Sequence, residues 1–329
     1  WQGLSGAAVL GAVVLLQRRT GSGLAMAAVG LNPLVGYHLV NLAHNDAVIG
    51  LAVLGAVVLA DDDHDVGAAV LLTVAALVKA PTGIGLLALL LWIGHRKGWA
   101  RASRAGVAAG ALGLAAMAVA GGRAALEPML GARGRTNGYT PWNLLREGGT
   151  EIFRGNSIPD LPFTVGGGLS TAALAASVAG ALAVAAARTW RPRPADHAPS
   201  AAPSAGPAVA GALVMWTLLS LYTSPWSFGW VLPVLALHLR SWLSRAVLAY
   251  VALFTVTAQW GILTIGARWL EQPGAAGYDD VNAVAKSLLL LGLLAIVGAL
   301  AVDAARRLPA RSSTVSDVGG RSVAVPGPR

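Results

Sequence analysis

The chain has 329 residues, of which 55% are apolar and only 12% charged, with a mean hydropathy of +0.63. Soluble domains carry about twice that share of charge, so the composition excludes a soluble enzyme and points to a polytopic membrane protein. The absence of cysteine excludes disulfides, thiolate metal sites and thiol nucleophiles, and the net charge of +9 falls in short clusters between apolar runs rather than in a nucleic-acid-binding stripe.

The chain opens at Trp1 and enters the apolar run 5–16 at once, without the basic start of a signal peptide. That opening reads as a piece whose N-terminal part lies elsewhere. Arg18 and Arg19 follow the run. Arg96, Lys97, Arg101 and Arg104 form a second cluster, and Arg188, Arg191 and Arg193 a third. Arg240 and Arg245 make a fourth, and five arginines lie between 306 and 329. Sixteen of the 24 basic residues thus fall in five clusters, which the positive-inside rule places in the cytoplasm.

Taken in chain order, the segment 24–42 then runs outward and 47–60 returns, so that His44-Asn45-Asp46 is expected at the extracytoplasmic face. Asp61–Asp65 is expected to be a solvated cytoplasmic turn. Residues 66–94 must go out and come back within one apolar stretch, broken at Lys79-Ala80-Pro81. Pro81 removes a backbone donor and disfavours helix at the residue before it. Each arm spans only ~21 Å at 1.5 Å per residue, so the tip with Lys79 is expected in a protein-lined cavity. Segment 105–121 leads to a long extracytoplasmic loop, 122–164. Segment 165–187 leads to a Pro- and Ala-rich cytoplasmic linker, 188–207. Three further segments, 208–222, 246–266 and 284–302, and a short arm at 231–239 complete a transmembrane domain of residues 1–302. Residues 303–329 read as a disordered basic cytoplasmic tail. The expected fold class is all-α, a transmembrane helix bundle with broken and short helices.

Polar residues inside apolar segments mark candidate sites. His38, Asn41 and Asn45 lie three and four apart and would share one face of an α-helix. His44 and Asp46 adjoin them, and Asp46 is the only acid between residues 24 and 60. A helix cap at Asn45 or Asp46 is the plainer alternative. Lys79 is the only basic residue between 66 and 94, and either snorkels to the interface or meets an anion such as a lipid phosphate. The loop 122–164 holds five arginines, among them Arg135 and Arg146, with Tyr139 and Trp142. Rings stack on sugar faces and guanidinium groups pair with phosphate. Trp226, Phe228 and Trp230 form an aromatic strip between Pro225 and Pro233, either a cavity wall or an interfacial belt. No metal site is evident, and Asp279-Asp280 is the only adjacent acidic pair of the outer segments.

With these residues in view, the sequence resembles the actinobacterial polyprenol-phosphate-mannose-dependent α-(1→6)-mannopyranosyltransferases, which are integral membrane glycosyltransferases of the GT-C type. The resemblance rests on Leu31-Asn32-Pro33-Leu34, His38-Leu39-Val40, Ala43-His44-Asn45-Asp46-Ala47, Leu77-Val78-Lys79-Ala80-Pro81, Ser224-Pro225-Trp226 and Trp230-Val231-Leu232-Pro233. It covers residues 24–302. It implies a multi-pass plasma-membrane hexosyltransferase that moves mannose from polyprenyl-phosphate-mannose to a mannan or lipoglycan acceptor at the extracytoplasmic face; no cofactor is expected, and dependence on a divalent metal is left open. On that basis Lys79, Arg135 and Arg146 would meet the donor phosphate. His38, Asn41, His44, Asn45, Tyr139, Trp142, Trp226 and Trp230 would line the sugar and acceptor pocket. The resemblance places the usual catalytic acid in a first external loop N-terminal to this stretch, leaving Asp46 as the base within it. A secondary transporter built around broken helices is the alternative class; the long outer loop and the lack of internal repeats favour the enzyme.

Overall fold

A computed structural model describes residues 1–127, 140, 142, 168–189, 204–220, 222, 224–258 and 278–307. Among them there is no strand. The first helix, α1 (Gln2–Thr20), closes on Gly21 at φ 60°, whose N–H donates to the Gln17 carbonyl, with Arg18 and Arg19 in the last turn beside the negative end of the helix dipole. Ser22 caps α2 (Gly23–Gly30) by accepting from the Ala25 N–H.

What was expected as one segment, 24–42, is bent by 58°. Pro33 interrupts the ladder, the Asn32 side chain accepts from Leu34 N–H at 3.0 Å, and the chain resumes as a π-helix, Val35–Asn41. The wider i→i+5 turn changes which residues align. His38 is buried while Asn41 is exposed, so the shared face expected of His38, Asn41 and Asn45 does not form.

Helix α3 (Asp46–Asp61) follows after Ala43, which sits at φ 56°. It runs parallel to α1: Ser5 meets the His44 carbonyl at one end, Gly11 faces Leu51 midway, and Arg19 meets Asp62 at the other. Helix α4 (Asp65–Val78) returns antiparallel to α3, with Gly67 against Leu59 and Gly55 against Leu71. The break expected at Lys79-Ala80-Pro81 is present. Lys79 is extended, a single 3₁₀ turn covers Ala80–Thr82, and α5 (Gly83–Lys97) descends to Gly98 at φ 103°. The chain then doubles back as α6 (Trp99–Val119), with the Trp99 ring packed over Gly94.

Helices α7 (Gly168–Thr189) and α8 (Gly206–Leu219) pack antiparallel, approaching closely where Gly180 meets Met215 and Leu219 and where Gly211 meets Val184. A 3₁₀ segment, Pro225–Trp230, leads into the short α9 (Leu232–Leu237), followed by α10 (Trp242–Ala258) and α11 (Tyr278–Arg307). The tail expected to be disordered from residue 303 is helical as far as Arg307, where Asp303 accepts from Arg188 at 2.9 Å.

The protein is thus an all-α bundle. Trp99–Val119 and Thr171–Thr189 are long and apolar enough to cross a membrane, and the bent pair around Asn32-Pro33 makes a third if counted as one span. Helices α3, α4, α5, α8, α9 and α10 are shorter, none exceeding 17 residues. Helix α3, at 16 residues, extends only ~24 Å, and is buried by α1, α4, the 3₁₀ segment and α9.

Candidate functional site

Two clusters of charge occupy opposite ends of α3. At its N-terminal end, Asp46 is the first helical residue, and Asn45 in the cap position makes no side-chain cap bond. The Asp46 carboxylate is fully buried, and it accepts at Oδ1 from Lys79 Nζ at 2.7 Å and from the Trp230 indole N–H. The capping alternative is therefore not what this side chain does: it ties together the start of α3, the break between α4 and α5, and the end of the 3₁₀ segment. Asp46 Oδ2 is buried and accepts no hydrogen bond from the described residues, with His44 Nδ1 3.8 Å away.

Close backbone approach makes this possible. A Cβ on Gly50 would lie 2.3 Å from the Gly229 carbonyl, and one on Gly229 would meet Leu39 at 3.0 Å and the Asp46 Cβ at 3.3 Å. Only glycine at both positions seats the Pro225–Trp230 segment against α3 and brings the Trp230 indole to the carboxylate. Neither glycine stands out in the sequence, where the Phe-Gly-Trp triplet shows only its aromatics.

An aromatic wall flanks the carboxylate. The His44 ring stacks on Trp226 with centroids 4.7 Å apart and planes 13° from parallel. His38 meets Trp226 at 5.3 Å and Tyr37 edge-on at 5.0 Å. Lys79 Nζ lies 5.3 Å from the Trp230 ring centre, a cation–π distance. Burial pushes the His44 imidazole below its ordinary pKa; Asp46 opposes that shift and Lys79 adds to it.

The structure therefore brings together Asp46, Lys79, His38, His44, Trp226 and Trp230 of the residues singled out in the sequence. Asn45 adjoins them in the backbone, its carbonyl accepting from Val48 and Ile49 N–H. Asn41 faces away, its carbonyl held by Gln2 Nε2 at 2.8 Å. The Trp142 indole donates to the Leu219 carbonyl at the end of α8, which Ser177 Oγ also approaches at 2.7 Å. Arg135, Arg146 and Tyr139 lie outside the described residues, as do the side chains of Asp279 and Asp280.

The opposite end of α3 adds to one expectation. The turn Asp61–Asp65 is exposed at Asp62, Asp63 and His64, as expected, but its carboxylates are also tied into a knot of ion pairs. Asp62 pairs with Arg19, Asp63 with Lys97 at 2.8 Å and Arg101 at 3.1 Å, and Asp65, nearly buried, with Lys97 at 3.0 Å and Arg101 at 2.5 Å. Asp61 accepts from Ser204 Oγ at 2.6 Å and Ala205 N–H at 2.8 Å, so the segment expected to be a free linker is anchored at its C-terminal edge. A cavity of about 440 Å³ opens beside this knot, lined by Leu59, His64, Val66, Arg101 and Arg104 among others. Members of separate basic clusters, Arg19, Lys97 and Arg101, meet at this end, as the alternation of segments requires.

Residues 4–95 match the family model of the alpha-(1->6)-mannopyranosyltransferase N-terminal domain. That span covers nearly all of α1 to α5, with Asp46, Lys79, His38 and His44, but not Trp226 or Trp230. This part of the chain is similar to the N-terminal domain of those mannosyltransferases. No curated protein and no solved structure matches the chain.

Proposed function

We propose that the chain is a multi-pass plasma-membrane mannosyltransferase of the GT-C type, transferring mannose from polyprenyl-phosphate-mannose to a mannan or lipoglycan acceptor in α-(1→6) linkage. In this reading the Asp46 end of α3 faces the extracytoplasmic side, and the knot of ion pairs and the basic tail face the cytoplasm, in keeping with the positive-inside rule. The match of residues 4–95 supports the sugar and the linkage. The observation that carries the site is the Lys79–Asp46 pair: a buried carboxylate fixes a half-exposed ammonium at a helix break, beside an aromatic and imidazole wall.

The chemistry follows from donor counting. A lysine ammonium has three N–H donors. One goes to Asp46, and the other two have no acceptor among the described residues. They suit a phosphate that gains negative charge as the sugar leaves, where a fixed cation lowers the barrier. The stacked His44 and Trp226 rings, with His38 behind them, offer apolar faces to a pyranose, with Asn45 and Trp230 adjoining them, and Trp142 is proposed as a further contact from the long loop. Asp46 acts as the support of Lys79: its carboxylate is shielded by Lys79, Trp230 and His44, so an acceptor hydroxyl does not reach it in this arrangement. Arg135, Arg146 and Tyr139 of the long loop are proposed as further contacts to donor and acceptor.

The test is transfer itself. Membranes holding the full-length protein receive radiolabelled polyprenyl-phosphate-mannose and a short mannan acceptor, with and without EDTA. Elongated acceptor is expected, in α-(1→6) linkage. Absence of product with mannose, glucose and arabinose donors, together with solute uptake into proteoliposomes, would replace the enzyme by a transporter.

A further inference from the structure

The ion pairs at the C-terminal end of α3 leave one cation over. Asp63 and Asp65 line the cavity of about 440 Å³ beside them, and each is paired with both Lys97 and Arg101. Charge is therefore balanced there before Arg104 is counted. Arg104 lines the same cavity from α6, is exposed, and makes no hydrogen bond or ion pair among the described residues. Arg101 adds to it: its Nε and Nη2 donate to Asp65 and Asp63, whereas Nη1 donates to none of the described residues. The two arginines stand three apart on one helix and so share a face. Guanidinium donors left open along one side of a concave surface suit a phosphate, which they grip in pairs.

The remaining walls indicate what carries that phosphate. Leu59, Val66 and Gly67 line the cavity with apolar surface, and Val66 is 45% exposed. Trp99–Val119 is long and apolar enough to cross a membrane, so its first turn, with Arg101 and the 63% exposed Trp99, stands where a span meets water. Tryptophan is enriched at that headgroup level, and basic pockets between helices on the cytoplasmic side take anionic headgroups. A free phosphate ion gains nothing from an apolar wall. A phospholipid brings its phosphate to this depth and lays its glycerol and first methylenes against such a wall.

We propose that this cavity binds the headgroup of an anionic phospholipid, with the phosphate held by Arg104 and the free edge of Arg101. In the topology proposed above the site lies in the cytoplasmic leaflet, at the opposite end of α3 from Asp46. It does not depend on which sugar is transferred, or on transfer at all; it requires only that α6 spans the bilayer.

The lipid acts as a clamp. The residues that line the cavity come from the end of α3, the turn after it, the start of α4 and the start of α6, so one headgroup touches three helices at once. A ligand that binds the folded bundle and not the unfolded chain stabilises it, the more so as its concentration rises above Kd. Arg104 is the residue to vary. It has no pairing among the described residues to lose, and replacing it leaves the pairs of Lys97 and Arg101 with Asp63 and Asp65 as they are.

The experiment follows thermal unfolding of the full-length protein in neutral detergent with phosphatidylglycerol, phosphatidylcholine or inorganic phosphate added. Phosphatidylglycerol is expected to raise the Tm by ~3–6 °C, and the other two by less than about 1 °C. Arg104→Gln should keep the Tm of lipid-free wild type and lose most of that gain. Arg18→Gln removes the same charge at the same end of the bundle, beside Arg19 and outside the cavity, and should keep the gain. No gain with phosphatidylglycerol, or an undiminished gain in Arg104→Gln, overturns the site. An equal loss in Arg18→Gln reduces the effect to diffuse surface charge and overturns it too. A gain of the same size from inorganic phosphate alone replaces the lipid by a free anion. The readout needs no transfer, so each of these failures leaves the mannosyltransferase reading untouched, and absence of transfer leaves this site untouched.

Discussion

Asp46 and Asp65 stand at opposite ends of α3, each nearly or wholly buried and each held by a lysine from a neighbouring element, yet their surroundings differ in one respect. Asp65 has both oxygens satisfied, Oδ1 by Lys97 and Oδ2 by Arg101, and the two cations are further engaged by Asp63 and the Ala60 carbonyl. Asp46 has both donors on one oxygen and none on the other. A charge cluster that closes on itself fixes α3, α4, α5 and α6 in register. One that leaves a buried oxygen and two ammonium donors open among the described residues has room for a further partner. On the proposed function, the same amino-acid pair serves structure at one end and chemistry at the other.

The largest effect that separates the two ends is expected at Lys79. Lys79→Met should lower turnover by ~10²–10³-fold, the range for losing one fixed donor to a developing anion. It also strands a buried carboxylate, a change that costs several kcal/mol in buried pairs, so the double variant Asp46→Asn with Lys79→Met is needed. That double variant is expected to regain most of the lost thermal stability in detergent and none of the turnover. Recovery of turnover with stability would make the Asp46 end as structural as the Asp65 end.

At the other end the expectation reverses. Asp65→Asn should cost about 3 kcal/mol of stability, because Lys97 and Arg101 lose their common buried acceptor, while turnover per folded molecule stays unchanged. Asp62 and Asp63 carry the acid-side loss of stability of this knot, whereas burial pushes the Asp61 carboxyl above its ordinary value and works in the opposite direction. Hydrogen bonds from Arg19 and Lys97, respectively, hold the Asp62 and Asp63 carboxyls below the ordinary 3.8. Their contribution to stability is complete above that value and is lost as pH falls through the lowered folded pKa. Thermal unfolding in detergent should thus be insensitive to these groups from pH 7 to about 5 and decline only below the usual carboxylate range. A decline already between pH 7 and 5 would place the sensitive group elsewhere.

How much of this was legible in the sequence follows the reach of each interaction. Pro81 marks the break at Lys79 because its effect is local, and the alternation of basic clusters gave the antiparallel return of α4 and α5. His38 and Asn41 were placed on one face by α-helical spacing, and the π-helix separates them; nothing in Val35–Asn41 announces the extra residue per turn. The ion pairs of the exposed Asp61–Asp65 turn are not legible in the run itself, because its partners, Arg19, Lys97, Arg101 and Ser204, come from four other parts of the chain. The Trp230 indole meets Asp46 across 184 residues, a pairing that spacing does not encode. Gly50 and Gly229 carry no signal in the sequence for the same reason, since a close approach shows only when both backbones are in place.

Those two glycines give the next test of the comparison. Gly50→Ala forces a Cβ into the Gly229 carbonyl at 2.3 Å, against backbone that cannot rotate away. The expected cost is ~1–3 kcal/mol, as for other overpacked sites, and the displaced Trp230 indole releases Asp46 Oδ1. Turnover should fall with it. Gly67→Ala near the other end, where the nearest atom is the Leu59 Cδ1 at 3.7 Å, should leave turnover unchanged.

The smallest expected effect compares backbone strain at the two ends. Each has one non-glycine residue at positive φ, Ala43 at 56° and Asp63 at 66°. Aspartate visits the left-handed region readily, whereas alanine there costs ~1–2 kcal/mol. Ala43→Gly relieves that cost but adds backbone entropy to the unfolded chain, so its net gain should be about 0.5 kcal/mol. Asp63→Gly removes no comparable strain and loses the pairs to Lys97 and Arg101; it should destabilise slightly. The informative readout is turnover rather than stability. If Ala43 holds His44 against Trp226, a glycine that loosens the turn should lower kcat by a few fold even as the protein becomes more stable. Equal or higher kcat would mean that Ser5 and Trp226 alone keep the imidazole in place.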